Sequence, residues 1–442
     1  MRTNPHPNRR HVLGCCAAAA AGLFSSLLAD DSAAAPTLRA MPPTLAPPPP
    51  PTPKPALPAA VDDLLARCFD GLDPAALWDA HAHLLGVGDA GSGCRIHEHL
   101  TQWWHPVEYV RRRVILGASG VDEAAPSIDR AYLDRLRALV RDFPAGARWL
   151  LYAFDDAHDD RGRIRPDWST FHVPDAYAAS IAGAEPDRFA WVASIHPYRE
   201  DAAECLQRAL AGGALAIKWL PSAMNIDLRD PRSLAFCERL AAADLPLIVH
   251  CGEEHAVPGA GRDELGNPLH LRAPLERGVR VIAAHCASLG QARDLDAPRL
   301  RERPAFELFA RLMDEPAWRG RLLGDVSAMF QRNRSASVWR AVLERSDWHG
   351  RLLHGSDYPL PGIGPLYSLT ALVRAQLLDP ALLPPLNALR ARNPLLFDFA
   401  LKRCLRVGGA GRAAGSGLSP AVFDTRAHLA RPVSKVSPDG TA

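Results

Sequence analysis

The stretch Leu247-Ile248-Val249-His250 is a run of branched apolar residues that ends on a histidine. A similar run over residues 279–285 ends on His285, and a run over residues 215–220 contains Lys218. Short apolar runs that alternate with amphipathic segments are typical of strands and helices that build a parallel sheet. The chain between about residues 60 and 407 is therefore predicted to be an α/β domain with a parallel sheet.

Eight such runs are predicted to be strands: residues 77–83, 149–154, 190–196, 215–220, 247–250, 279–285, 322–327 and 352–357. From Lys218 onward, polar residues near the ends of these runs recur at intervals close to the roughly 30 residues of one strand–helix–strand unit. Asp325 and Asp357 mark the last two intervals. Eight strands of this kind predict a (β/α)8 TIM barrel.

The long interval between the first and second predicted strands indicates an insertion after strand 1. It contains Trp103, Trp104 and His105, and three His or Glu side chains at residues 97–99. Active sites of TIM barrels lie at the C-terminal ends of the strands, where inserted segments can reach them. We expect this insertion to line or cover a pocket there.

The flanks of the domain differ from it in composition. Residues 1–35 pair Arg9-Arg10 with a weakly apolar stretch and small residues, and resemble a twin-arginine export signal that would direct the protein to the periplasm. An uncleaved membrane anchor is the alternative for this segment, and no membrane span is expected in the mature chain. Residues 36–58 are predicted to be an extended proline-rich linker, and residues 408–442 a loosely ordered, flexible tail.

Charge and cysteine content exclude several kinds of protein. The 51 Lys plus Arg nearly balance the 49 Asp plus Glu, for a net charge of +2, so no basic surface for nucleic acid stands out. The nine cysteines include no CxxC pair, which argues against a zinc ribbon or a small disulfide framework. A small-molecule substrate is the expected partner, and a homo-oligomer remains possible.

The first predicted strand contains Asp79-Ala80-His81-Ala82-His83. The period of two in a strand places Asp79, His81 and His83 on one face, where two imidazoles can converge on a metal ion. Polar residues at the C-terminal ends of barrel strands are typical of catalytic sites. Because buried charges without partners cost several kcal/mol, a divalent metal would satisfy several imidazoles and a carboxylate together.

The ordered set of HxH at residues 81–83, Ile217-Lys218, His250, His285 and Gly355-Ser356-Asp357-Tyr358-Pro359 resembles the amidohydrolase superfamily, and within it the amidohydrolase-related branch. The resemblance covers about residues 76–399. It implies one or two divalent ions, zinc in the first place with manganese or another ion as the alternative. The implied metal ligands are His81, His83, Lys218, His250, His285 and Asp357. The implied catalytic residues are Asp357 as proton shuttle, His285 as ligand or hydrogen-bond donor, and Lys218.

Three roles are open for Lys218. A carbamylated lysine would bridge two metals, as in some members of the superfamily, whereas a free ammonium could orient a substrate carboxylate beside one metal. The third role is a structural lysine that pairs with Asp155 or Glu253. His354 precedes Asp357 by three residues and so faces away from it on a strand, which leaves it out of the metal set.

Further polar residues follow the predicted strands and are expected either to orient ligating imidazoles or to be solvated: Asp155, Asp156, His196, Trp219, Ser222, Glu253, Glu254 and His255. The resemblance implies a hydrolase that uses metal-activated water on the carbonyl of an amide, ester or lactone. Non-oxidative decarboxylation of a small carboxylic acid on the same barrel is the alternative. A non-catalytic barrel that keeps its metal for structure or binding is the third hypothesis.

Overall fold

The computed structural model describes residues 58–299, 301–408 and 417–429. The predicted export signal and nearly all of the predicted linker lie outside the described residues. Of the predicted tail, only residues 408 and 417–429 are described. Within the described residues, no helix is both long and apolar enough to cross a membrane.

Eight parallel strands form the barrel: β1 Trp78–His83, β2 Arg148–Tyr152, β3 Phe189–Val192, β4 Ile217–Trp219, β5 Leu247–His250, β6 Val281–Ala284, β7 Leu322–Asp325 and β8 Leu352–Leu353. Strands β1 to β3 and strands β4 to β8 each form a continuous ladder in chain order. Parallel bridges between Ala193 and Ile217 and between Ala82 and Tyr358 join the two ladders into a closed ring. The predicted (β/α)8 fold is confirmed, and every predicted strand is present.

Helices connect and surround the strands: α1 Ala59–Phe69, α2 Pro106–Ser119, α3 Ile128–Val140, α4 Asp175–Ala184, α5 Ala202–Ala211, α6 Pro221–Met224, α7 Pro231–Ala242, α8 Arg272–Glu276, α9 Ala305–Asp314, α10 Ala336–Glu344, α11 Leu369–Arg374, α12 Leu383–Arg392, α13 Pro394–Cys404 and α14 Arg426–Leu429. Local sequence explains several starts. Asp230 accepts a hydrogen bond from the backbone N–H of Arg232 at the start of α7, and Ser335 caps α10 in the same way through Val338.

The strands end earlier than predicted at the C-terminal edge of the barrel. Strand β8 stops at Leu353 and β7 at Asp325, although both runs continue in the sequence. The backbone leaves the ladder there, and His285 and Asp357 adopt left-handed conformations, with φ of 54° and 59°. Such values are uncommon outside glycine and concentrate at functional sites.

Branched and aromatic side chains fill the barrel interior, including Leu150, Tyr152, Ile248 and Ile282. Leu429 belongs to the same buried cluster. The C-terminal segment that carries it therefore packs against the barrel.

The prediction of a loosely ordered tail from residue 408 is wrong for residues 417–429. Val422 and Phe423 are buried in this segment, and Thr425 is buried with its hydroxyl hydrogen-bonded to the backbone of β1. The physical reason is that a few apolar side chains and one hydroxyl suffice to anchor a short segment on a preformed surface, although its composition shows no periodicity.

The insertion after β1 contains α2 and α3. A short antiparallel pair, Arg95–Ile96 with Phe171–His172, ties the insertion to the loop after β2. Trp103 and Trp104 are 74% and 58% exposed, so their rings lie on the surface.

Candidate metal centre

Three of the predicted ligands meet at one carboxylate. Nε2 of His83 lies 3.2 Å from Oδ1 of Asp357, and Nε2 of His81 lies 3.6 Å from the same oxygen. Candidate ligand atoms of these three residues all lie within 4.8 Å of one another. The first strand supplies both imidazoles, and the chain just beyond β8 supplies the carboxylate. The barrel closure between β1 and β8 thus brings together residues that are far apart in sequence.

His285 joins this group from the end of β6. Its Nε2 lies 3.8 Å from Oδ2 of Asp357, and its ring stacks on that of His81 at 4.8 Å between centroids. Four predicted ligands therefore converge: His81, His83, His285 and Asp357.

Asp325, at the end of β7, holds two of the imidazoles in place. Its Oδ2 is 2.9 Å from Nδ1 of His81, and its Oδ1 accepts from the backbone N–H of His285 at 3.0 Å. Ser327 completes the network, because its hydroxyl donates to Asp325 and lies 2.8 Å from Nδ1 of His285. Carboxylates that bind the second nitrogen of a ligating histidine fix its ring orientation and tautomer.

Asp79 does not join the group, contrary to the expectation that it shares a face with His81 and His83. The β1–β2 register shifts between Asp79 and Ala82. Oδ1 of Asp79 accepts from the backbone N–H groups of His81 and Ser356 at 3.0 and 2.8 Å. Burial raises the pKa of Asp79 to about 7. This carboxyl group bridges the backbones of β1 and the segment after β8.

Burial sets the charge states at the centre. It lowers the pKa of His81 to about 4, with the charge of Lys218 acting in the same direction, and it lowers the pKa of His285 well below its usual value. Burial alone would raise the pKa of Asp357, but the surrounding imidazoles hold it well below its usual range. At neutral pH the imidazoles of His81 and His285 are thus neutral and the Asp357 carboxylate is ionised, and these are the protonation states that metal ligands require.

One atom of this group lacks a partner. Nε2 of His81 is buried and makes no hydrogen bond to any residue that the structure describes. Its other nitrogen is bound by Asp325, which leaves the Nε2 lone pair directed toward Asp357. Buried polar atoms are almost always paired, so an imidazole nitrogen without a hydrogen bond beside a carboxylate is suited to bind a cation. Imidazole and carboxylate donors suit zinc and manganese.

The remaining predicted ligands lie at the edge of this group. Nε2 of His250 lies 3.4 Å from Oε2 of Glu254, and its ring centroid is 5.3 Å from that of His285. Nζ of Lys218 lies 5.4 Å from the centre of the Tyr152 ring and forms no ion pair within the described parts of the chain. Burial lowers the pKa of Lys218.

The structural pairing considered for Lys218 is wrong. Asp155 pairs with Arg199 at 3.1 Å, and Glu253 lies 3.3 Å from His255. Both carboxylates are thus engaged elsewhere. The carbamate and the free ammonium remain as the two predicted roles.

Most of the polar residues expected to orient imidazoles have other functions in the structure. Two of them contact the candidate ligand His250: Oε2 of Glu254 and the backbone carbonyl of Glu253 each lie 3.4 Å from its Nε2. Trp219 donates to the Ile195 carbonyl, and His196 contacts the Met224 carbonyl at 2.8 Å. His354 packs against aromatic rings, away from the metal group as predicted.

Sequence reasoning missed the residues that support the centre. Asp325 served only as a marker of strand spacing, although an aspartate at the end of an apolar run was a signal for a site residue. Tyr152 donates from its hydroxyl to the Ala80 carbonyl at 2.5 Å, and its ring lies 4.6 Å from that of His81. A buried tyrosine within a strand gives no such indication, because aromatic residues in strands ordinarily belong to the hydrophobic core.

Comparison with known proteins gives one family and several similar structures. The amidohydrolase family model matches residues 78–386. No curated protein matches the chain.

Similar solved structures include an uncharacterised TIM-barrel protein from Bordetella bronchiseptica, at 18% identity over 73% of this chain and 99% of that one, with a TM-score of 0.44. A probable 2-pyrone-4,6-dicarboxylic acid hydrolase from Acinetobacter baumannii follows at 13% identity, 68% and 90% coverage and a TM-score of 0.39. A manganese-bound 5-carboxyvanillate decarboxylase from Novosphingobium aromaticivorans shares 13% identity over 68% and 90%, with a TM-score of 0.36. The family match spans most of the barrel and includes every predicted ligand, and the chain therefore belongs to the amidohydrolase family.

Proposed function

We propose that the protein is a metal-dependent hydrolase that acts on a small carbonyl compound such as an amide, ester or lactone. The observation that carries this proposal is the convergence of His81, His83 and His285 on the Asp357 carboxylate, where Nε2 of His81 has no hydrogen-bond partner among the described residues. These four residues would hold the ion. A divalent metal bound by them would act as a Lewis acid: it would polarise a carbonyl and favour deprotonation of water near neutral pH.

Asp357 is the proton carrier in this proposal. Its carboxylate is ionised and buried, so it can accept a proton from the attacking water and later deliver that proton to the leaving group. The buried imidazoles of His81 and His285 accept a proton less readily, because burial disfavours their charged forms. Replacement of Asp357 by Asn should lower turnover by about 10²–10⁴-fold, the usual contribution of a general acid–base group.

The metal we expect is zinc, with manganese as the alternative, and one ion is the simpler occupancy. The described residues bring one compact set of imidazoles around Asp357, while His250 and Lys218 lie at its edge. A second ion would require Lys218 to be carbamylated, which would convert a buried cation into an anionic ligand.

A specific observation keeps decarboxylation as a second candidate. An unmodified Lys218 is a buried cation without an ion pair in the described residues, and such a group suits a substrate carboxylate beside a single metal. In that reaction the C–C bond to the carboxylate breaks, carbon dioxide leaves and a proton is added to the carbon.

Isotopic labelling separates the two reactions. Metal-loaded protein is supplied with panels of esters, lactones, amides and small aromatic or enoic acids, in water enriched in heavy oxygen and separately in deuterated water. Hydrolysis places heavy oxygen in the product carboxylate, whereas decarboxylation releases carbon dioxide and places deuterium on carbon. Turnover that is independent of metal, or unchanged in Asp357→Asn, would contradict the proposal.

We also propose that the protein is exported to the periplasm through the signal predicted in residues 1–35. Its support is the Arg9-Arg10 pair ahead of a weakly apolar stretch. The test is fractionation of cells that express the full chain or its Arg9→Lys/Arg10→Lys variant. Export predicts a shortened periplasmic product that the variant loses, whereas an uncleaved anchor predicts full-length protein in the membrane fraction.

A further inference from the structure

A buried arginine lies near the candidate metal centre and has no acidic partner. Arg334 is in the loop between β7 and α10 and is only 9% exposed. Its hydrogen bonds go to neutral oxygens: Nε donates to Ser288 at 3.2 Å, and Nη1 donates to Gln331 and Asn333 at 2.7 and 2.6 Å. Nη2 makes no hydrogen bond, and the guanidinium no ion pair, with any residue in the described ranges. Of the other buried cations in the described residues, Lys402 is paired with Asp398 at 2.5 Å, whereas Lys218 forms no ion pair.

A hydrogen bond connects Arg334 to the candidate metal centre. Ser288 closes the turn that begins at His285, so this hydrogen bond links the arginine to the segment that carries a candidate ligand. Burial lowers the pKa of Arg334, and the nearby charges of Asp357 and Glu254 oppose that effect. The guanidinium is therefore within electrostatic reach of the proposed proton carrier.

We propose that Arg334 is the anion-binding group of this site and that the substrate carries a carboxylate, which Arg334 binds through its free Nη2. A desolvated guanidinium without a direct ion-pair partner is costly, and an anionic ligand offsets that cost with charge-assisted hydrogen bonds. The neutral hydrogen-bond partners of Nε and Nη1 hold the planar guanidinium in one orientation. They leave Nη2 available to bind a ligand. This inference rests on the proposed function only in taking Asp357 to mark the reacting centre. It assigns a substrate class: small molecules with a carboxylate beside the reacting bond.

The test measures binding of simple carboxylates to the full chain by calorimetry, with the metal loaded and with the metal removed. Acetate and benzoate are the probes, and acetamide and benzamide are their neutral counterparts. Wild type should bind each carboxylate more tightly than its amide in both metal states. Arg334→Gln should weaken carboxylate binding by about tenfold or more, as expected for loss of a charged hydrogen bond, and leave amide binding unchanged.

Two further variants serve as controls for Arg334→Gln. Arg332→Gln alters an exposed arginine of the same loop and should bind all probes as wild type does. Arg334→Lys keeps the charge without the planar fork and should lose less affinity than Arg334→Gln. Equal binding of acids and amides by wild type, or wild-type carboxylate affinity in Arg334→Gln, would overturn the proposal. These results are separable from failure of the hydrolase proposal, because probe binding to the metal-free protein requires no turnover.

Discussion

Replacement of Asp325 by Asn should weaken metal binding through the tautomer of His81. Oδ1 of Asp325 accepts from the backbone N–H groups of His285 and Ser327, both at 3.0 Å. In the Asn variant the amide oxygen must occupy that position, because an NH2 group cannot accept these hydrogen bonds. The amide nitrogen then faces Nδ1 of His81, where Oδ2 lies at 2.9 Å in the wild type.

The consequence is a change in which nitrogen of His81 carries the proton. Asp325 accepts a hydrogen bond from the Nδ1–H of His81 and leaves the Nε2 lone pair free for a metal ion, whereas an amide NH2 donates a hydrogen bond to Nδ1 and moves the ring proton to Nε2. Loss of such a supporting carboxylate typically costs about 10–100-fold in metal affinity, or about 1.4–2.8 kcal/mol. We expect a loss in this range for zinc, and a similar one for manganese.

Competition titration against a chromophoric chelator measures this affinity in wild type and Asp325→Asn. Asp175→Asn is a matched control, because Asp175 also accepts a backbone hydrogen bond, from Ser194 at 2.9 Å, but lies outside the metal group. Near-native circular dichroism in both variants confirms that the barrel has folded. Wild-type metal affinity in folded Asp325→Asn would refute the tautomer argument.

Three other expectations concern stability. Lys402→Met should cost about 3–5 kcal/mol in denaturant unfolding, because Asp398 is then left buried without its partner at 2.5 Å; a Lys402→Met/Asp398→Leu double variant that is no more stable would contradict this reason. Burial raises the pKa of Asp175 to about 7 from 3.8, so the stability from its protonated form is present below the unfolded pKa and is lost as the pH rises through 7. Relative to wild type, Asp175→Asn should therefore gain up to about 1.4 kcal/mol per pH unit across that window, and a pH-independent difference would count against it. Phe423→Ala should lower the free energy of unfolding by about 3–5 kcal/mol, since this side chain is 1% exposed; a loss below 1 kcal/mol would mean that the C-terminal segment does not pack as described.

The fold was predictable because the sequence pattern of one strand–helix unit is repeated along the chain. Each barrel strand is a short apolar run, and the intervals between His250, His285 and Asp325 match one strand–helix unit. The ends of β7 and β8 were not predictable: the strands were expected to reach residues 327 and 357, whereas the ladder ends at Asp325 and Leu353 and the backbone then turns through left-handed conformations at Ala328 and Asp357. The docked segment at residues 417–429 was missed for a similar reason: its anchoring depends on tertiary contacts and leaves no periodic pattern.

The site was predictable in its ligands and not in its supports. His81 and His83 lie in the first strand, His285 and Asp357 follow later strands, and the four meet in the structure. His250 turns toward Glu254, a contact that depends on the path of the loop after β5. Arg334 gave no signal at all, because an arginine before a helix cap is ordinarily solvated and only its burial reveals a role.

The central claim is that His81, His83, His285 and Asp357 hold a catalytic divalent ion. Its most direct test is the metal content per chain of protein purified without chelator, measured by elemental analysis beside the intact mass, for wild type and His83→Ala. The account predicts at least one zinc or manganese per wild-type chain and its loss in the folded variant, with an added carbon dioxide on Lys218 only if two ions are present. Wild-type protein that takes up no metal even after reloading, or a His83→Ala variant with full occupancy and unchanged affinity, would contradict it.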